Sequence, residues 1–450
     1  MKIKLPTNVQ KAISLLEAAG FEAYAVGGCV RDSLLGKTPD DWDITTSATP
    51  EQMKSVFSGF HCIETGIQHG TLTVVIDSSA LEITTFRLDG EYEDNRHPKT
   101  VEFTCDLTAD LARRDFTVNA MAYSPSSGIS DPFGGKEDLK NNVVCCVGDA
   151  DRRFNEDALR ILRGLRFASV LDFTIDPETA DSIHKNKDLL KNISVERISK
   201  ELLRLICGAG AHRVLSDFSD VLFTVLPQLQ PMYKNSHDNP HHCYDIYEHT
   251  LFSLESISPD PVLRFAMLLH DSGKPASKTF DEKGRAHFYG HQKVSAEIAA
   301  DILAQLKLPN KFRDEVLFLI DNHDRWELYE KSERMKKYLA RFGLERTIKL
   351  LQVMRADVLS QSPEYHFRLE SIAAAEQLAK ELAALEPCLT LKSLAVNGRT
   401  LINHGIPEGK DLGAVLSALL EEVIDEKIPN DSNALIVRAK EIFEQTKKQS

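Results

Sequence analysis

Asp41 and Asp43 stand two positions apart in "DDWDITT". On an extended strand that spacing sends both carboxylates to one face. Two carboxylates on one face can hold a pair of Mg²⁺ ions, one activating an attacking hydroxyl and one stabilising a leaving pyrophosphate. Upstream, Gly27 and Gly28 follow a β-rich run, where the absence of side chains lets backbone approach a triphosphate, and Arg31 is placed to neutralise it. A glycine pair alone is an ordinary turn, and an Asp-x-Asp alone is a solvated strand end. Their ordered combination within seventeen residues, Gly27 to Asp43, points to chemistry on a nucleoside triphosphate.

A second candidate group lies in "EDALRILRGLRFA" (156–168). Ala158, Ile161, Leu162 and Leu165 follow helical spacing and predict a buried stripe. Asp157, Arg160 and Gly164 then fall on another face, with Glu156 beside Arg160 one turn along. Cytosine and adenine each present an exocyclic amino donor beside a ring-nitrogen acceptor. An aspartate accepting from the amino group and an arginine donating to the ring nitrogen match both bases, whereas guanine and uracil present the reverse order. The plainer reading is an ion pair on a solvated helix, worth about 0.3–0.5 kcal/mol. Arg163 and Arg166 continue a basic run that begins at Arg152 and Arg153, and join the candidate nucleotide-binding residues.

The elements that must position these groups are legible in outline. "YAVGG" (24–28) reads as a strand ending in a turn, "VRDSLLG" as a helix closed by Gly36, and "WDITT" as a second strand. "TPEQMKSVF" reads as a helix with Thr49 at its N-cap and Pro50 at its first position. "TLTVVID", "LEITTFR" and "TVEFT" read as further strands. Beyond about residue 146 strand signals fade and helical periodicity takes over. The expected class is α+β: a head at 1–145, then a helical neck at 146–235, a helical body at 236–375 and a helical tail at 376–450.

Composition sets limits. A chain of 450 residues is too long for one ordinary core, so two to four domains are expected. The net charge of −13 argues against bulk polyanion binding and leaves local arginine clusters to hold phosphate. No apolar run is long enough to span a membrane, and the first residues lack the short apolar run expected of a secretory signal. The eight cysteines include no C-x-x-C pair, so neither a zinc knuckle nor a disulfide framework is expected, and a cytoplasmic location follows.

The ordered motifs "GGCVRD…DDWD", "TGIQHGT" (65–71), "RRDFTVNAMAY" (113–123), "DPFGG" (131–135), "EDALR" and "SVERISKELLR" (194–204) resemble the class II CCA-adding enzymes, tRNA nucleotidyltransferases of the polymerase-β superfamily. The resemblance implies a polymerase-β-like head that adds C and A from CTP and ATP to the 3′ end of tRNA. It implies Asp41 and Asp43 as the metal carboxylates. It further implies Arg114, Asp115 and Asn119 as triphosphate and ribose contacts, and Asp157 with Arg160 as an amino-acid template. "LDGEYEDNRHP" (88–98) resembles the family's loop that assists the final A. An A-adding tRNA enzyme or a poly(A) polymerase is the other reading within this class.

A separate set of motifs, "YDIYEHT" (244–250), "RFAMLLHDSGKP" (264–275), "HFYGHQ" (287–292), "DNHD" (321–324) and "MRADVL" (354–359), resembles the HD superfamily of metal-dependent phosphohydrolases. That resemblance implies His249, His270, Asp271 and Asp357 around one metal, with His291 and His323 completing a second site. Ni²⁺, Mn²⁺ or another divalent ion suits this mixture of imidazole and carboxylate. A phosphohydrolase with an RNA-binding head is therefore the reading from a different class. The stretch 389–435 resembles the helical tail of the same tRNA enzymes, and reads equally well as a simple helix–loop–helix.

Overall fold

The computed structural model describes residues 2–90, 101–326, 332–385 and 391–449. The backbone forms two compact units, Met1–Gln230 with Ala304–Lys307, and Pro231–Leu303 with Leu308–Ser450.

The first unit opens with helix α1 (Thr7–Ala18), which buries Val9, Ala12, Ile13 and Leu16 at helical spacing. A seven-stranded sheet follows, built from β1 (Ala23–Val26), β2 (Asp43–Thr46), β3 (His61–Ile63), β4 (Thr71–Ile76), β5 (Ser79–Thr85), β8 (Ala122–Ser124) and β9 (Gly128–Ser130), in the order β3-β4-β5-β2-β1-β8-β9. In β4 the residues Leu72, Val74 and Ile76 are buried, and in β5 Leu81, Ile83 and Thr85. Each fully buried aliphatic side chain contributes about 1.5–3 kcal/mol, so this alternation sets the register and leaves Glu82 on the open face. A separate ladder pairs β6 (Arg87–Asp89) with β7 (Val101–Phe103). The intervening part of the loop at 88–98, from residue 91 onward, lies outside the described residues.

Short helices cap the strands: α2 (Gly28–Leu34), α3 (Pro50–Val56), α4 (Leu107–Ala112) and α5 (Gly135–Asn141). Thr49 and Gln52 form a reciprocal capping box at the start of α3, with Pro50 in its first turn. The hairpin of β8 and β9 was not among the expected strands; three residues each are too few to show a period. Asp41 lies outside β2, which begins at Asp43, so the two aspartates do not share a strand as their spacing suggests.

The rest of the first unit is nearly all helical, as expected, with α6 (Ala150–Glu156), α7 (Leu159–Leu171), α8 (Pro177–Asn186), α9 (Val195–Ile206), α10 (Ala211–Asp217) and α11 (Ser219–Val225). Ala158, Ile161, Leu162 and Leu165 are buried. The expectation of one continuous helix through Asp157 is corrected. Asp157 is extended (φ −138°, ψ 103°) and separates α6 from α7. Its carboxylate accepts from the Leu159 amide at 3.1 Å, which satisfies a donor at the start of α7.

The second unit contains α12 (Ile246–Glu255), α13 (Pro261–Leu269), α14 (Lys274–Ser277), α15 (His291–Gln305), α16 (Asn310–Asn322), α17 (Ser332–Leu359) and α18 (Arg368–Ala384). The helical run α17 is broken at Gly343, whose φ is +77°. The tail helices α19 (Gly398–Asn403), α20 (Lys410–Ile424) and α21 (Ser432–Gln449) enclose their own apolar core of Leu394, Val396, Leu401, Ile406, Val415, Leu419, Leu435 and Ala439.

Candidate active site and a second polar cluster

Asp43 opens β2 and lies in register with Glu82 on the parallel neighbour β5. In-register residues of a parallel pair project to the same face. Partial desolvation raises the Asp43 carboxyl above its ordinary range; Arg114 works against that, and the charges of Glu82 and Asp41 add to it. Asp43 and Glu82 therefore share a carboxylate patch on which the Asp41 charge also acts, and Glu82 is the member that motif reading missed. The usable signal was the lone charged residue in the apolar alternation "LEITT".

Gly27 leaves room for the Arg114 guanidinium, whose charge acts on Asp43. Gly27 has φ +79°, and a Cβ there would lie 2.9 Å from Arg114 Nη1. Nearby, Arg31 donates to Asn119 Oδ1 at 2.7 Å and pairs with Asp32. Asn119 donates to Asp115 Oδ1 at 3.2 Å, and Arg163 grips Asp115 Oδ2 from Nε at 2.8 Å and Nη2 at 2.5 Å. Burial alone would raise the Asp115 carboxyl, but the Arg163 charge and the hydrogen bonds from Arg163 and Asn119 bring it down to about 2. The guanidinium groups of Arg31, Arg163 and Arg166 lie 5.1, 5.5 and 3.8 Å from the centre of the Phe167 ring, an attraction of cation to π-face. Arg166 is itself paired with buried Glu201 at 2.5 Å. Gly28 starts α2 beside these groups. The predicted residues Gly27, Gly28, Arg31, Asn119, Asp115, Arg163 and Arg166 thus form one connected region, in which Arg163 and Arg166 are committed to carboxylates.

Asp157 and Arg160 are held separately rather than paired. Asp157 Oδ2 accepts from Arg197 Nη2 at 2.9 Å, while Arg160 Nη1 pairs with Glu156 Oε2 at 2.8 Å. Arg160 Nη2 also donates to the Arg113 carbonyl at 2.9 Å. That contact ties the arginine to the residue before Arg114, and so to the carboxylate patch. Asp110, fully buried, anchors the same segment through Arg113 at 2.8 Å and Thr45 Oγ1 at 3.2 Å.

The second unit holds a denser polar cluster. His249, on α12, places Nε2 2.9 Å from Asp357 Oδ1 and 3.4 Å from Asp271 Oδ2. His270, just past α13, places Nε2 3.2 Å from Asp271 Oδ2. On the other side, His291 and His323 place Nε2 3.5 and 3.9 Å from Asp271 Oδ1, and 3.2 Å from each other. Each Nδ1 faces a backbone carbonyl: Ser360 for His249 (3.2 Å), Met267 for His270 (2.7 Å), Phe288 for His291 (2.9 Å) and Ile320 for His323 (2.7 Å). Those contacts orient each ring with Nδ1 toward the backbone and Nε2 toward the carboxylates, the orientation that ligating histidines adopt. Both Asp271 oxygens and His270 Nε2 are buried with no hydrogen-bond partner among the described residues.

The sequence-predicted residues here come together as two overlapping sets, His249, His270, Asp271 and Asp357, and Asp271, His291 and His323. Gly273 makes the convergence possible, since a Cβ there would lie 2.6 Å from the His291 carbonyl. Lys274 Nζ sits 2.7 Å from Asp271 Oδ2. Burial opposes charge on His270, but Asp271 and Asp357 overcome it and carry the imidazole up to about 10. Burial, with His291 and His270 adjacent, pushes His323 down to about 3. A cavity of about 320 Å³ opens onto the cluster and is lined by His242, Lys274, Asp324, Gln361 and Arg368 among others. His237 and His242 stack with centroids 3.7 Å apart and turn toward Lys274. The motifs read from this region did not include them, although His237, His241 and His242 within six residues were a visible sign.

Comparison with known proteins agrees with this architecture. Residues 23–145 match the family described as Poly A polymerase head domain, residues 172–231 the one described as "Probable RNA and SrmB- binding site of polymerase A", and residues 281–439 tRNA nucleotidyltransferase domain 2. The chain is 35% identical over 437 residues to the CCA-adding enzyme of Lactobacillus helveticus (strain DPC 4571), covering 96% of this chain and 97% of that one. It is 34% identical over 430 residues to that of Geobacillus kaustophilus (strain HTA426), covering 94% of each. The crystal structure of Bacillus stearothermophilus CCA-adding enzyme in complex with CTP superposes with a TM-score of 0.75 at 29% identity, covering 98% of both chains. Similarity at this level over nearly the whole length, on a head that sets Asp43 and Glu82 side by side, shows that the chain belongs to the family of CCA-adding enzymes.

Proposed function

We propose that this chain extends the 3′ end of tRNA by adding C and A residues from CTP and ATP without a nucleic-acid template. The observation that carries the reading is that Arg114, whose charge acts on Asp43, directly follows Arg113, whose carbonyl accepts from Arg160. It links a place for triphosphate chemistry to a place for reading a base. Crowded carboxylates at Asp41, Asp43 and Glu82 fit Mg²⁺, because a divalent cation offsets their mutual repulsion. When bound, Mg²⁺ supplies charge neutralisation for the attacking hydroxyl and the leaving pyrophosphate. Arg114 and Arg31 hold the triphosphate over the Gly27–Gly28 turn, with Asn119 and Asp115 ordering Arg31 and Arg163 around it. Asp157 accepts from the amino group of cytosine or adenine, and Arg160 donates to the ring nitrogen.

The decisive assay supplies each nucleoside triphosphate separately to tRNA lacking its last one, two or three nucleotides. C is expected on ends lacking two or three, and A only on the end lacking one. Incorporation of A directly onto the shortest end would overturn the reading in favour of a poly(A) polymerase. Replacing Asp157 or Arg160 with Ala is expected to erode discrimination against UTP and GTP by roughly 10²-fold while slowing C and A addition. An unchanged ranking of the four triphosphates would put base selection elsewhere. Gly27→Ala, which sets a methyl group against Arg114 at positive φ, is expected to raise KM for CTP and ATP about tenfold. Steady-state kinetics check this, and an unaltered KM would remove Arg114 from triphosphate binding.

A second reading concerns the other unit, and the inward-turned histidines converging on the buried Asp271 carboxylate favour it. The donor set fits Mn²⁺, Ni²⁺ or another divalent ion held by His249, His270, Asp271 and Asp357, with His291 and His323 sharing Asp271. When bound, such an ion supplies an activated water for hydrolysis of a phosphate monoester or a 2′,3′-cyclic phosphate. Lys274 orients the phosphate, and Gln361, donating to Asp357 at 3.0 Å, holds that carboxylate in place.

A further inference from the structure

We infer that Arg197 is a positioning residue for base choice: it holds the Asp157 carboxylate in the orientation that reads the amino group of cytosine or adenine. This rests on the proposed reading of Asp157 and Arg160 as the base-edge pair. Asp157 belongs to neither helix: it stands in extended backbone between α6 and α7. Its two oxygens are set instead by two donors, the Leu159 amide on Oδ1 at 3.1 Å and Arg197 Nη2 on Oδ2 at 2.9 Å. The amide comes from two residues along the chain and orients the carboxylate only locally. Arg197 comes from forty positions away, in the first turn of α9.

The pair is sheltered, with side chains 25% and 18% exposed, so solvent screens it less than a surface pair. Arg197 Nη1 is buried with no hydrogen-bond partner among the described residues. Its guanidinium is therefore not tied up by a second acceptor on that nitrogen. Arg160 is braced differently, by Glu156 and the Arg113 carbonyl. The two halves of the base-edge pair are thus fixed by groups from different helices. The buried pair of Arg166 with Glu201 further ties α7 to α9. Without Arg197, only the Leu159 amide on Oδ1 is left to hold the carboxylate, and Oδ2 no longer has a fixed place relative to the amino group. Uracil and guanine, which present an acceptor there, are then less strongly rejected.

The test measures kcat and KM for all four nucleoside triphosphates, using tRNA that lacks its last three nucleotides and tRNA that lacks only the last. Variants are Arg197→Met, Arg197→Lys, Asp157→Asn and the double variant Arg197→Met/Asp157→Asn. Arg197→Met is expected to lower discrimination of C over U and of A over G by about 10- to 100-fold, mainly through KM for CTP and ATP. Arg197→Lys is expected to restore much of it. Effects on discrimination in the double variant are expected to be non-additive, since both act through one carboxylate. Uniform slowing of all four triphosphates by Arg197→Met, with the ranking kept, would overturn the inference and leave Arg197 a structural residue. If Arg197→Met does not fold, Arg197→Lys carries the same comparison: an unchanged ranking and an unchanged KM in that variant, together with additivity on Asp157→Asn, overturn it equally. A ranking unaffected by Asp157→Asn itself would instead sink the base-edge reading.

Discussion

Asp43→Asn is expected to lower incorporation of C and A by about 10³-fold or more, with tRNA affinity kept within a few-fold. The amide preserves shape and removes one negative charge from the patch it shares with Asp41 and Glu82. Loss of a ligand charge at such a centre costs several kcal/mol of transition-state stabilisation, and each 1.36 kcal/mol is tenfold in rate. Asp41→Asn is expected to act in the same direction. Affinity for tRNA is expected to survive because Asp43 is a strand-end carboxylate with no part in the apolar core of the sheet. Single-turnover incorporation on tRNA lacking its last three nucleotides gives the rate, and filter binding gives the affinity. Activity retained to within tenfold of the unaltered protein would remove this patch as the catalytic centre.

Asp271→Asn is expected to abolish metal retention and phosphoester hydrolysis by the second unit while leaving nucleotide incorporation intact. Asp271 faces both histidine pairs, Oδ2 toward His249 and His270 and Oδ1 toward His291 and His323. Converting it to an amide puts an N–H donor where one set of lone pairs needs a cation. It also strips Lys274 of the carboxylate at 2.7 Å, and breaking a buried pair this way costs about 3–5 kcal/mol. His323→Gln is the gentler companion, because it touches one histidine pair and no carboxylate charge. Elemental analysis after loading with Mn²⁺ or Ni²⁺, followed by assays on a phosphate monoester and a 2′,3′-cyclic nucleotide, reads out both effects. Undiminished metal content in Asp271→Asn would refute the shared-carboxylate arrangement. Absence of metal and hydrolysis in the unaltered protein would refute the second reading as a whole.

Much of this was legible in the linear sequence, for reasons that are local. Glycine after a β-rich run, alternating burial in "TLTVVI", and the apolar stripe through Ala158, Ile161, Leu162 and Leu165 are short-range patterns imposed by backbone geometry. Motif order identified the family because several such patterns occur in sequence over the first 205 residues. The capping box at Thr49 and Gln52 was readable for the same reason: donor and acceptor are three residues apart.

Tertiary structure decided what depended on distant partners or on where an element breaks. Glu82 joins Asp43 only because β5 pairs in parallel with β2, a register set by which faces bury their aliphatics. The spacing of Asp157 and Arg160 suggested one helical face, but the chain breaks at Asp157 and each residue finds a separate partner. Nothing near Asp157 in sequence announces Arg197, since helix packing can bring together residues at any separation. The second cluster shows the same division. Its histidines and aspartates were named from motif order, yet the inward turn of every Nε2 follows from carbonyls at Ser360, Met267, Phe288 and Ile320. Three of those carbonyls lie three residues before their histidine at a helix end, whereas Ser360 lies 111 positions beyond His249, so only the folded chain could supply it.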